Sequence, residues 1–224
     1  MKVLGLIPAR SGSKSILQKN LVDLGGVPLI GWTIRAALES KLDLVMVSTD
    51  DTEISDVSKG FGAEVPFLRP KNLALDLSLT IDTVLHAIKN ISGEFDAVML
   101  LQPTSPFRLA SDINDALNLL VDCSSVISVV PVEGNHPARM KYIESGFLKD
   151  PTFAESTENI PRQNLSPLFI RNGAIYLSTL NTLKSRSFKG PRSRPLIMPR
   201  ERSLNIDSPF DLKLARAMLA AGLV

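Results

Sequence analysis

A chain of 224 residues, of which 44% are hydrophobic, can bury one large core, and nothing in these values requires a second domain. Its 25 basic and 23 acidic side chains leave a formal net charge of only +2, so binding to nucleic acid or to a membrane surface has no global electrostatic support, and any affinity for anions must be local. The single cysteine, Cys123, excludes an intramolecular disulfide and a multi-cysteine zinc site, and favours a reducing compartment, with a role as a small apolar filler rather than a reactive thiol.

The first predicted element is a buried strand that ends in a cationic loop. Residues 3–7 form a continuous apolar run that Pro8 ends, and the next residues carry Arg10, Lys14 and Lys19 among glycine and serine. Small residues let backbone N–H groups turn toward an anion, and the cations would neutralise a polyphosphate. The P-loop motif and the dinucleotide fingerprint are both absent. We interpret the loop as a phosphate-binding site, with a plain surface turn as the alternative.

The following elements alternate between strands and helices. In chain order they are a helix over residues 28–38, a strand over 42–47, a capped helix to about residue 60, a helix over 80–91, a strand over 97–101, a helix over 111–120 and a strand over 126–132. Repeated strand-helix units predict an α/β fold with a doubly wound, mainly parallel sheet. In such sheets ligands bind at the carboxyl ends of the strands.

The alternation of strands and helices stops between residues 133 and 167, where the apolar residues show neither a helical nor a strand periodicity. Irregular stretches of this length in compact domains are usually functional, so we interpret these residues as an excursion from the sheet, either a lid or a dimerisation arm. Strand character returns over residues 169–177 and 195–198. The last helix is predicted to begin with Ser208 as its cap and Pro209 in its first turn. We predict a single domain over residues 1–224.

No leader or membrane segment is predicted. Met1 and Lys2 lead directly into the first strand, and no apolar stretch of about 20 residues follows. We therefore expect a soluble, cytoplasmic protein.

Six short motifs lie along almost the full chain. They are I-P-A-R-S-G-S-K with K-N-L (residues 7–21), V-S-T-D (47–50), F-L-R-P (67–70), L-L-Q-P-T-S-P-F-R (100–108), R-N-G-A-I-Y (171–176) and N-I-D-S-P-F-D-L (205–212). Together and in this order they resemble the N-acylneuraminate cytidylyltransferases, the CMP-sialic acid synthetases that activate nonulosonic acids.

The resemblance implies a Rossmann-like sheet of the nucleotide-diphospho-sugar transferase type, with an arm exchanged across a homodimer. It implies transfer of CMP from CTP to the anomeric hydroxyl of a nonulosonic acid of the sialic, legionaminic or pseudaminic type, with release of pyrophosphate and a requirement for Mg²⁺. Cations on the phosphate oxygens and Mg²⁺ suit this chemistry, because negative charge develops as pyrophosphate leaves. Mg²⁺ keeps several waters, so one or two carboxylates suffice to hold it.

The same resemblance assigns roles to individual residues. It implies nucleotide contacts from Ala9, Arg10, Ser13, Lys14, Asn20, Arg69 and Thr80. It implies contacts to the sugar from Gln102, Arg162, Gln163 and Tyr176. It implies catalytic roles for Lys14, Lys19 and Asp207, with Asp207 as the metal ligand.

Several of these residues have a simpler structural interpretation. Asp207 could cap the final helix, and Asp211, one turn further on, either shares the metal site or faces solvent. Arg69, just before a proline, could be an ordinary surface cation, and Gln102 could only cap the turn after its strand. Asp50 is interpreted as a helix cap rather than as a ligand.

The chain departs from the family pattern at three places. Ser15 stands where most relatives have a glycine, which predicts a different loop geometry, and Asn205 stands where an aspartate is frequent, which predicts weaker metal binding. Phe169 stands where a tyrosine is frequent, which removes a possible hydroxyl contact. The loop after residue 101 carries no carboxylate, which favours a nonulosonic acid over the eight-carbon substrate of a CMP-Kdo-type synthetase. A catalytically inactive nucleotide-binding homologue is the other alternative.

Overall fold

The computed structural model describes residues 1–224 and contains ten strands, six helices and five short 3-10 segments. In chain order the strands and helices are β1 Val3–Pro8, β2 Asp23–Leu24, β3 Val27–Pro28, α1 Leu29–Leu38, β4 Leu44–Ser48, α2 Thr52–Gly60, α3 Thr80–Asn90, β5 Ala97–Leu100, α4 Ala110–Leu119, β6 Ser125–Pro131, β7 Tyr142–Glu144, β8 Phe147–Lys149, β9 Phe169–Thr179, α5 Leu180–Lys184, β10 Ser193–Ile197 and α6 Pro209–Ala220. The 3-10 segments are Lys19–Leu21, Lys71–Leu73, Pro137–Arg139, Arg162–Asn164 and Glu201–Ser203.

The central sheet has six strands in the order β10-β6-β9-β5-β1-β4. Neighbouring pairs are parallel except at β9, which runs antiparallel to both β5 and β6. The predicted α/β fold with a mainly parallel sheet is therefore confirmed. Because β9 runs against its neighbours, its first half lies at the same edge of the sheet as the carboxyl end of β5, where Leu100 pairs with Tyr176.

Helices cover both faces of the sheet, as a doubly wound fold requires. On β1, Val3 and Ile7 belong to the core shared with α1, α2 and α4, whereas Leu4 and Leu6 belong to the core shared with α3 and α5. Successive side chains of a strand point to opposite faces, so a strand covered on both faces is apolar throughout. Each such Leu or Ile side chain stabilises the fold by about 1.5–3 kcal/mol when fully buried.

The predicted element boundaries agree with the structure to within a few residues, and three features were not predicted. These are the helix α5, the small sheet β2-β3 and the reversed direction of β9. Between α2 and α3, Glu64 forms an isolated bridge to Met46 of β4, and Leu68 forms one to Thr49. The cap of α2 was predicted wrongly: Asp51, not Asp50, accepts from the backbone N–H of Ile54 at 2.9 Å. Cys123 is half-buried and packs against the core, in agreement with its predicted role as a filler.

Residues 133–167 contain a hairpin that is separate from the central sheet. Its strands β7 and β8 pair across Ser145 and Gly146, whose φ values of 52° and 84° are those of the tight turn that matches strand twist. Apolar side chains of the hairpin, including Ile143, Phe147 and Leu148, are exposed.

A third apolar cluster places the start of α6 next to the first loop. Phe107, Ile206 and Leu212 pack there against Leu24 of β2. The backbone N–H of Ile206 donates to the carbonyl of Thr104 at 2.7 Å, which ties the segment before α6 to the loop after β5.

None of the helices combines the length and the apolar character that crossing a membrane requires.

Candidate active site

A cavity of about 420 Å³ opens at the carboxyl ends of β1 and β5, where the sheet topology places a ligand site. Its walls are formed by Pro8, Arg10, Gly12, Ser13, Lys19, Asn20, Arg69, Leu73, Leu75, Asp76, Ser78, Thr80, Thr83, Gln102, Pro103, Thr104, Asn205 and Asp207. Most of the residues predicted to contact a nucleotide are among them, together with the predicted metal ligand.

Lys19 and Asp207 meet in the wall of this cavity, where the Lys19 side chain is 15% exposed and the Asp207 side chain 64% exposed. The Nζ atom of Lys19 donates to Asp207 Oδ1 at 3.0 Å and to the carbonyl of Ile206 at 3.1 Å, and the amide of Asn205 donates to the second oxygen of Asp207. We call Lys19, Asn205 and Asp207, with the buried Arg69, the cavity base. The cationic loop and the carboxylate before the last helix thus converge on one site.

The loop reaches this position through an ordinary backbone at Ser15 and a strained one at Gln18. Gln18 adopts a left-handed conformation with φ of 48° directly before the 3-10 segment of Lys19, whereas Ser15 has no positive φ. The missing glycine at position 15 therefore imposes no backbone strain. The amide of Asn20 donates to the carbonyl of Arg10 at 2.9 Å and holds the two ends of the loop together.

Asp207 does not cap α6, because Ser208 and Asp211 do so. Ser208 Oγ accepts from the N–H of Asp211 at 3.3 Å, and Asp211 Oδ2 accepts from the N–H of Ser208 at 2.7 Å. The hydrogen bond from the Ser208 hydroxyl holds the pKa of Asp211 below its ordinary value of 3.8. Asp211 lies outside the cavity, and the carboxylate of Asp207 is left to face it.

Arg69 presents a buried cation to the cavity. Its Nη1 donates to Thr83 Oγ1 at 3.1 Å, its Nη2 lies 3.6 Å from Asp50 Oδ1, and its Nε and Nη2 have no hydrogen-bond partner. Burial lowers the pKa of Arg69, and the charge of Asp50 opposes that shift. Buried donors without partners are rare in proteins, so the guanidinium of Arg69 keeps unused hydrogen-bonding capacity beside the cavity.

Asp50 supports Arg69 and the cationic loop together. It accepts from the backbone N–H of Ser11 at 3.1 Å and from its hydroxyl at 2.8 Å. Burial alone would raise the pKa of Asp50, but the hydrogen bonds from Ser11 and the charge of Arg69 outweigh it and leave the pKa lowered. Asp50 is therefore a support of the site rather than the predicted cap.

A second group of charges lies at the mouth of the cavity. Arg10 Nη1 and Lys14 Nζ contact the two oxygens of Asp76 at 2.7 Å and 2.6 Å. Hydrogen bonds from Lys14 and Arg10 lower the pKa of Asp76. We call these three residues the cavity rim. Asp76 was missed from the sequence, where the only signal was a lone carboxylate within the leucine-rich stretch L-A-L-D-L-S.

A second cavity of about 340 Å³ shares Gln102 and Asn205 with the first, and Tyr176 borders it. Gly173, with φ of +78°, lies beside Gln102, and a Cβ atom there would come within 2.9 Å of Gln102 Oε1. The side chain of Gln102 could shift to relieve this contact, but the positive φ favours a glycine where β9 passes the loop after β5. Two of the four predicted sugar contacts, Gln102 and Tyr176, are brought together here.

Other predicted site residues lie outside both cavities. Ala9 is fully buried and lines neither cavity, and its backbone N–H donates to the carbonyl of Ser48 at 2.9 Å. Lys14 extends from the mouth with its side chain 84% exposed. Arg162 and Gln163 lie on an exposed 3-10 segment and line neither cavity.

Arg108 holds the loop of Gln102 from behind, a role that the sequence did not reveal. Its Nη1 donates to Thr33 Oγ1 at 2.9 Å, and its Nη2 donates to the carbonyl of Gln102. Burial lowers the pKa of Arg108 to about 9, and nearby Asp112 opposes that shift. A fixed guanidinium fork sets the direction of this carbonyl and hence the position of Gln102.

The donor groups at the cavity base suit a magnesium ion that completes its shell with phosphate oxygens and water. No group of three or more His, Cys, Asp or Glu side chains is placed to enclose a metal. Asp207 offers one carboxylate and Asn205 a neighbouring amide oxygen, and Mg²⁺ is commonly held by one or two carboxylates together with substrate phosphates.

The chain is similar to known cytidylyltransferases. The family model described as Cytidylyltransferase matches residues 4–167. CMP-N,N'-diacetyllegionaminic acid synthase of Legionella pneumophila is 38% identical over 98% of this chain and 97% of its own length. N-acylneuraminate cytidylyltransferase of Escherichia coli is 33% identical over 96% of this chain, which spans 51% of that longer protein.

A solved structure supports the fold independently of sequence. The structure of CMP:2-keto-3-deoxy-manno-octonic acid synthetase complexed with CTP superimposes with a TM-score of 0.76 at 19% identity, over 99% of this chain and 100% of that one. At that identity the likeness concerns the fold alone. The resemblance carried by the six motifs is confirmed: the chain belongs to the cytidylyltransferase family and is a nucleotidyltransferase.

Proposed function

We propose that this enzyme transfers CMP from CTP to the anomeric hydroxyl of a nonulosonic acid and releases pyrophosphate. The observation that carries the proposal is the contact between Lys19 Nζ and Asp207 Oδ1 at 3.0 Å across the base of a cationic cavity. A cation and a metal-binding carboxylate at one point are what the attack on an α-phosphorus needs, because charge develops on both sides of that atom.

The nucleotide would lie along the first cavity. Arg69 lines it with a buried guanidinium, while Arg10 and Lys14 offer charge at the mouth for the β- and γ-phosphates. The hydroxyl oxygen of the sugar forms the new bond to the α-phosphorus, the bond to pyrophosphate breaks, and the hydroxyl proton leaves to solvent. Lys19, whose side chain is only 15% exposed, is placed to stabilise the charge that builds up at the base.

Magnesium belongs to the same proposal. Asp207 would hold it, with Asn205 alongside, and the ion would supply neutralisation of the phosphate charge. Since Asn205 adds no charge of its own, we expect metal binding to rest mainly on Asp207.

The sugar would lie in the second cavity, between Gln102 and Tyr176. Two relatives support a nonulosonic acid as the substrate. They are named for legionaminic and N-acylneuraminic acids, and they resemble this chain over nearly its whole length. The two cavities share Gln102 and Asn205, so a sugar in one would lie beside a nucleotide in the other.

We also propose that the enzyme acts as a cytoplasmic homodimer of single-domain chains, in which residues 133–167 form the dimerisation arm. The exposed apolar hairpin supports this, since Ile143, Phe147 and Leu148 are each at least 75% exposed in one chain. In a dimer, Arg162 and Gln163, which line neither cavity of their own chain, could border the sugar site of the partner. The free cysteine fits a reducing compartment.

Pyrophosphate release tests the proposed reaction. The purified enzyme is supplied with CTP, Mg²⁺ and a panel of acids comprising sialic, legionaminic and pseudaminic acids and an eight-carbon 2-keto acid. Turnover with a nonulosonic acid is the expected result. Preference for the eight-carbon acid would instead indicate a CMP-Kdo-type synthetase, and CTP binding without turnover on any acid would indicate an inactive homologue.

Light scattering tests the dimer. We expect a dimeric mass for the wild type and a monomeric mass for Phe147→Asp, because a charge cannot be buried cheaply in an apolar interface. Lys184→Asp changes an exposed residue outside the arm and should remain dimeric. A wild-type monomer at micromolar concentration would contradict the proposal.

A further inference from the structure

Asp76 occupies the place in the cavity rim where a phosphate group would be expected. Its Oδ1 contacts Arg10 Nη1 at 2.7 Å and its Oδ2 contacts Lys14 Nζ at 2.6 Å. One carboxylate therefore engages both rim cations with its two oxygens, in the way that a phosphate group would engage them.

The charges of the cavity rim do not balance. Two cations share a single negative charge, whereas the triphosphate of CTP carries several. All three groups are partly exposed, with side-chain exposures of 38% for Arg10, 84% for Lys14 and 41% for Asp76. Each ion pair in such a position contributes a factor of a few to binding, so a ligand of higher charge can replace the carboxylate at a cost of about tenfold in affinity for the two pairs together.

The chain around Asp76 is attached to the cationic loop only through this carboxylate. Within residues 71–79, the other hydrogen bonds are local, such as those that Ser78 Oγ makes with the N–H of Leu75 at 3.0 Å and the carbonyl of Asn72 at 3.0 Å. Apolar burial also holds the segment weakly, since Leu77 is 93% exposed. Release of Asp76 therefore frees one wall of the cavity without breaking a core contact.

We infer that Asp76 is an internal counter-ion: it neutralises Arg10 and Lys14 while the site is empty, and a bound polyphosphate displaces it. The inference rests on the proposed function for the identity of the natural ligand. Asp76 then sets the specificity of the site, because an anion must outcompete a tethered carboxylate. Pyrophosphate and nucleoside triphosphates meet that requirement, whereas inorganic phosphate, with less charge and a single phosphate group, does not.

The test is the affinity of Asp76→Asn for CTP, inorganic pyrophosphate and inorganic phosphate, measured by calorimetry without metal. Removal of the competing charge should tighten CTP and pyrophosphate binding by about tenfold, the combined effect of two exposed ion pairs. Inorganic phosphate should become detectable as a ligand. In turnover, KM for CTP should fall and inhibition by pyrophosphate should strengthen, with a smaller change in kcat.

Two variants separate this effect from a general loosening of the segment. Asp76→Glu keeps the charge and should bind CTP within about twofold of the wild type. Asp82→Asn removes a carboxylate that pairs with Arg186 at 2.8 Å outside the cavity, and should leave every affinity unchanged. Tighter binding by Asp76→Asn alone supports the inference.

Weaker or unchanged binding of CTP and pyrophosphate by Asp76→Asn overturns it, since Asp76 would then support the cations rather than compete for them. A turnover assay of the wild type tests the proposed function separately. If that function is wrong, the wild type will release no pyrophosphate from CTP with any acid. The comparison of variants with inorganic pyrophosphate still decides the inference in that case.

Discussion

The cavity base and the cavity rim are built from the same kinds of charged groups but differ in how firmly they are held. The lysines differ most: at the base, Lys19 is 15% exposed and bonds to two acceptors, whereas at the rim Lys14 is 84% exposed and bonds only to Asp76. The carboxylates differ in the opposite direction, with Asp207 64% and Asp76 41% exposed. Solvent weakens the rim pairs and lets their partners exchange. We therefore expect the base to set the geometry of the proposed reaction and the rim to adjust the affinity for the nucleotide.

The difference has its origin in what anchors each group. The segment carrying Asp207 is tied by Ile206 to the loop after β5, and Arg108 in turn holds that loop through the carbonyl of Gln102. The segment carrying Asp76 makes mainly local hydrogen bonds. Buried contacts between distant parts of the chain therefore support the base, and one side chain supports the rim.

The largest effect is expected from Asp207→Asn, which removes the only carboxylate of the base. Turnover should fall by about a thousandfold, equivalent to about 4 kcal/mol of transition-state stabilisation, because the charge acts mainly when pyrophosphate leaves. CTP binding measured without metal should stay within about threefold. Undiminished pyrophosphate release would remove Asp207 from the mechanism, and Asp82→Asn serves as a control for the loss of a surface carboxylate.

A smaller loss of turnover is expected from Arg108→Met, which removes the support behind Gln102. Misplacement of a substrate-positioning group by about 1 Å can cost up to a hundredfold, so we expect a loss of ten- to hundredfold. Thermal stability should change little: the variant leaves the Gln102 carbonyl without a donor, but it also removes a buried cation whose pKa burial has lowered to about 9.

The control for this variant is Thr33→Val, which removes one partner of Arg108 and leaves the Gln102 carbonyl bonded. It should keep wild-type turnover. A loss of stability above about 3 kcal/mol in Arg108→Met, the range seen when buried charge networks break, would assign Arg108 to folding rather than to positioning.

The sequence predicted the scaffold because buried strands and helix starts leave local signals, whereas the family resemblance alone implied that Lys19 and Asp207 share a site. Continuous apolar runs such as residues 3–7 and 97–101 predict buried strands, and the Ser208-Pro209 pair predicts the start of α6, so the strand ends and the start of α6 agree with the structure. The direction of β9 could not be predicted in this way, since an apolar strand has the same pattern in either direction.

The supports of the site were missed because their roles depend on contacts between distant residues. Asp50 and Asp51 have the same local surroundings, and only the packing of the loop shows that Asp50 bonds to Ser11 while Asp51 caps α2. Asp76 meets Lys14 and Arg10 more than sixty positions away. Arg108 was part of a quoted motif, but its burial against Thr33 has no local signal.

At the rim, Lys14→Ala should raise KM for CTP and lower kcat/KM by about tenfold, with binding and turnover weakened together. Since Lys14 is exposed, salt should reduce the difference from the wild type, and at about 1 M ionic strength most of it should disappear. Lys19→Ala at the base is the matched comparison, and its larger loss should persist in salt because the side chain is shielded from solvent. Equal salt dependence of the two variants would contradict the division into base and rim.

The smallest effect is expected from Asp211→Asn, which weakens the cap of α6 just behind Asp207. Its carboxylate accepts from the Ser208 hydroxyl and from the N–H of Asp207, so the pKa is lower in the folded chain than the ordinary 3.8. The stabilisation is therefore complete above pH 3.8 and is lost as the pH falls through the lower folded-state pKa. At pH 7 the variant should lose about 0.5–1 kcal/mol, a drop in Tm of about 1–4 °C, and thermal melts in strong acid should show a smaller difference. Turnover should remain within about twofold, because Asp211 lies outside the cavity; a loss above tenfold would instead show that Asp211 shares the metal site with Asp207.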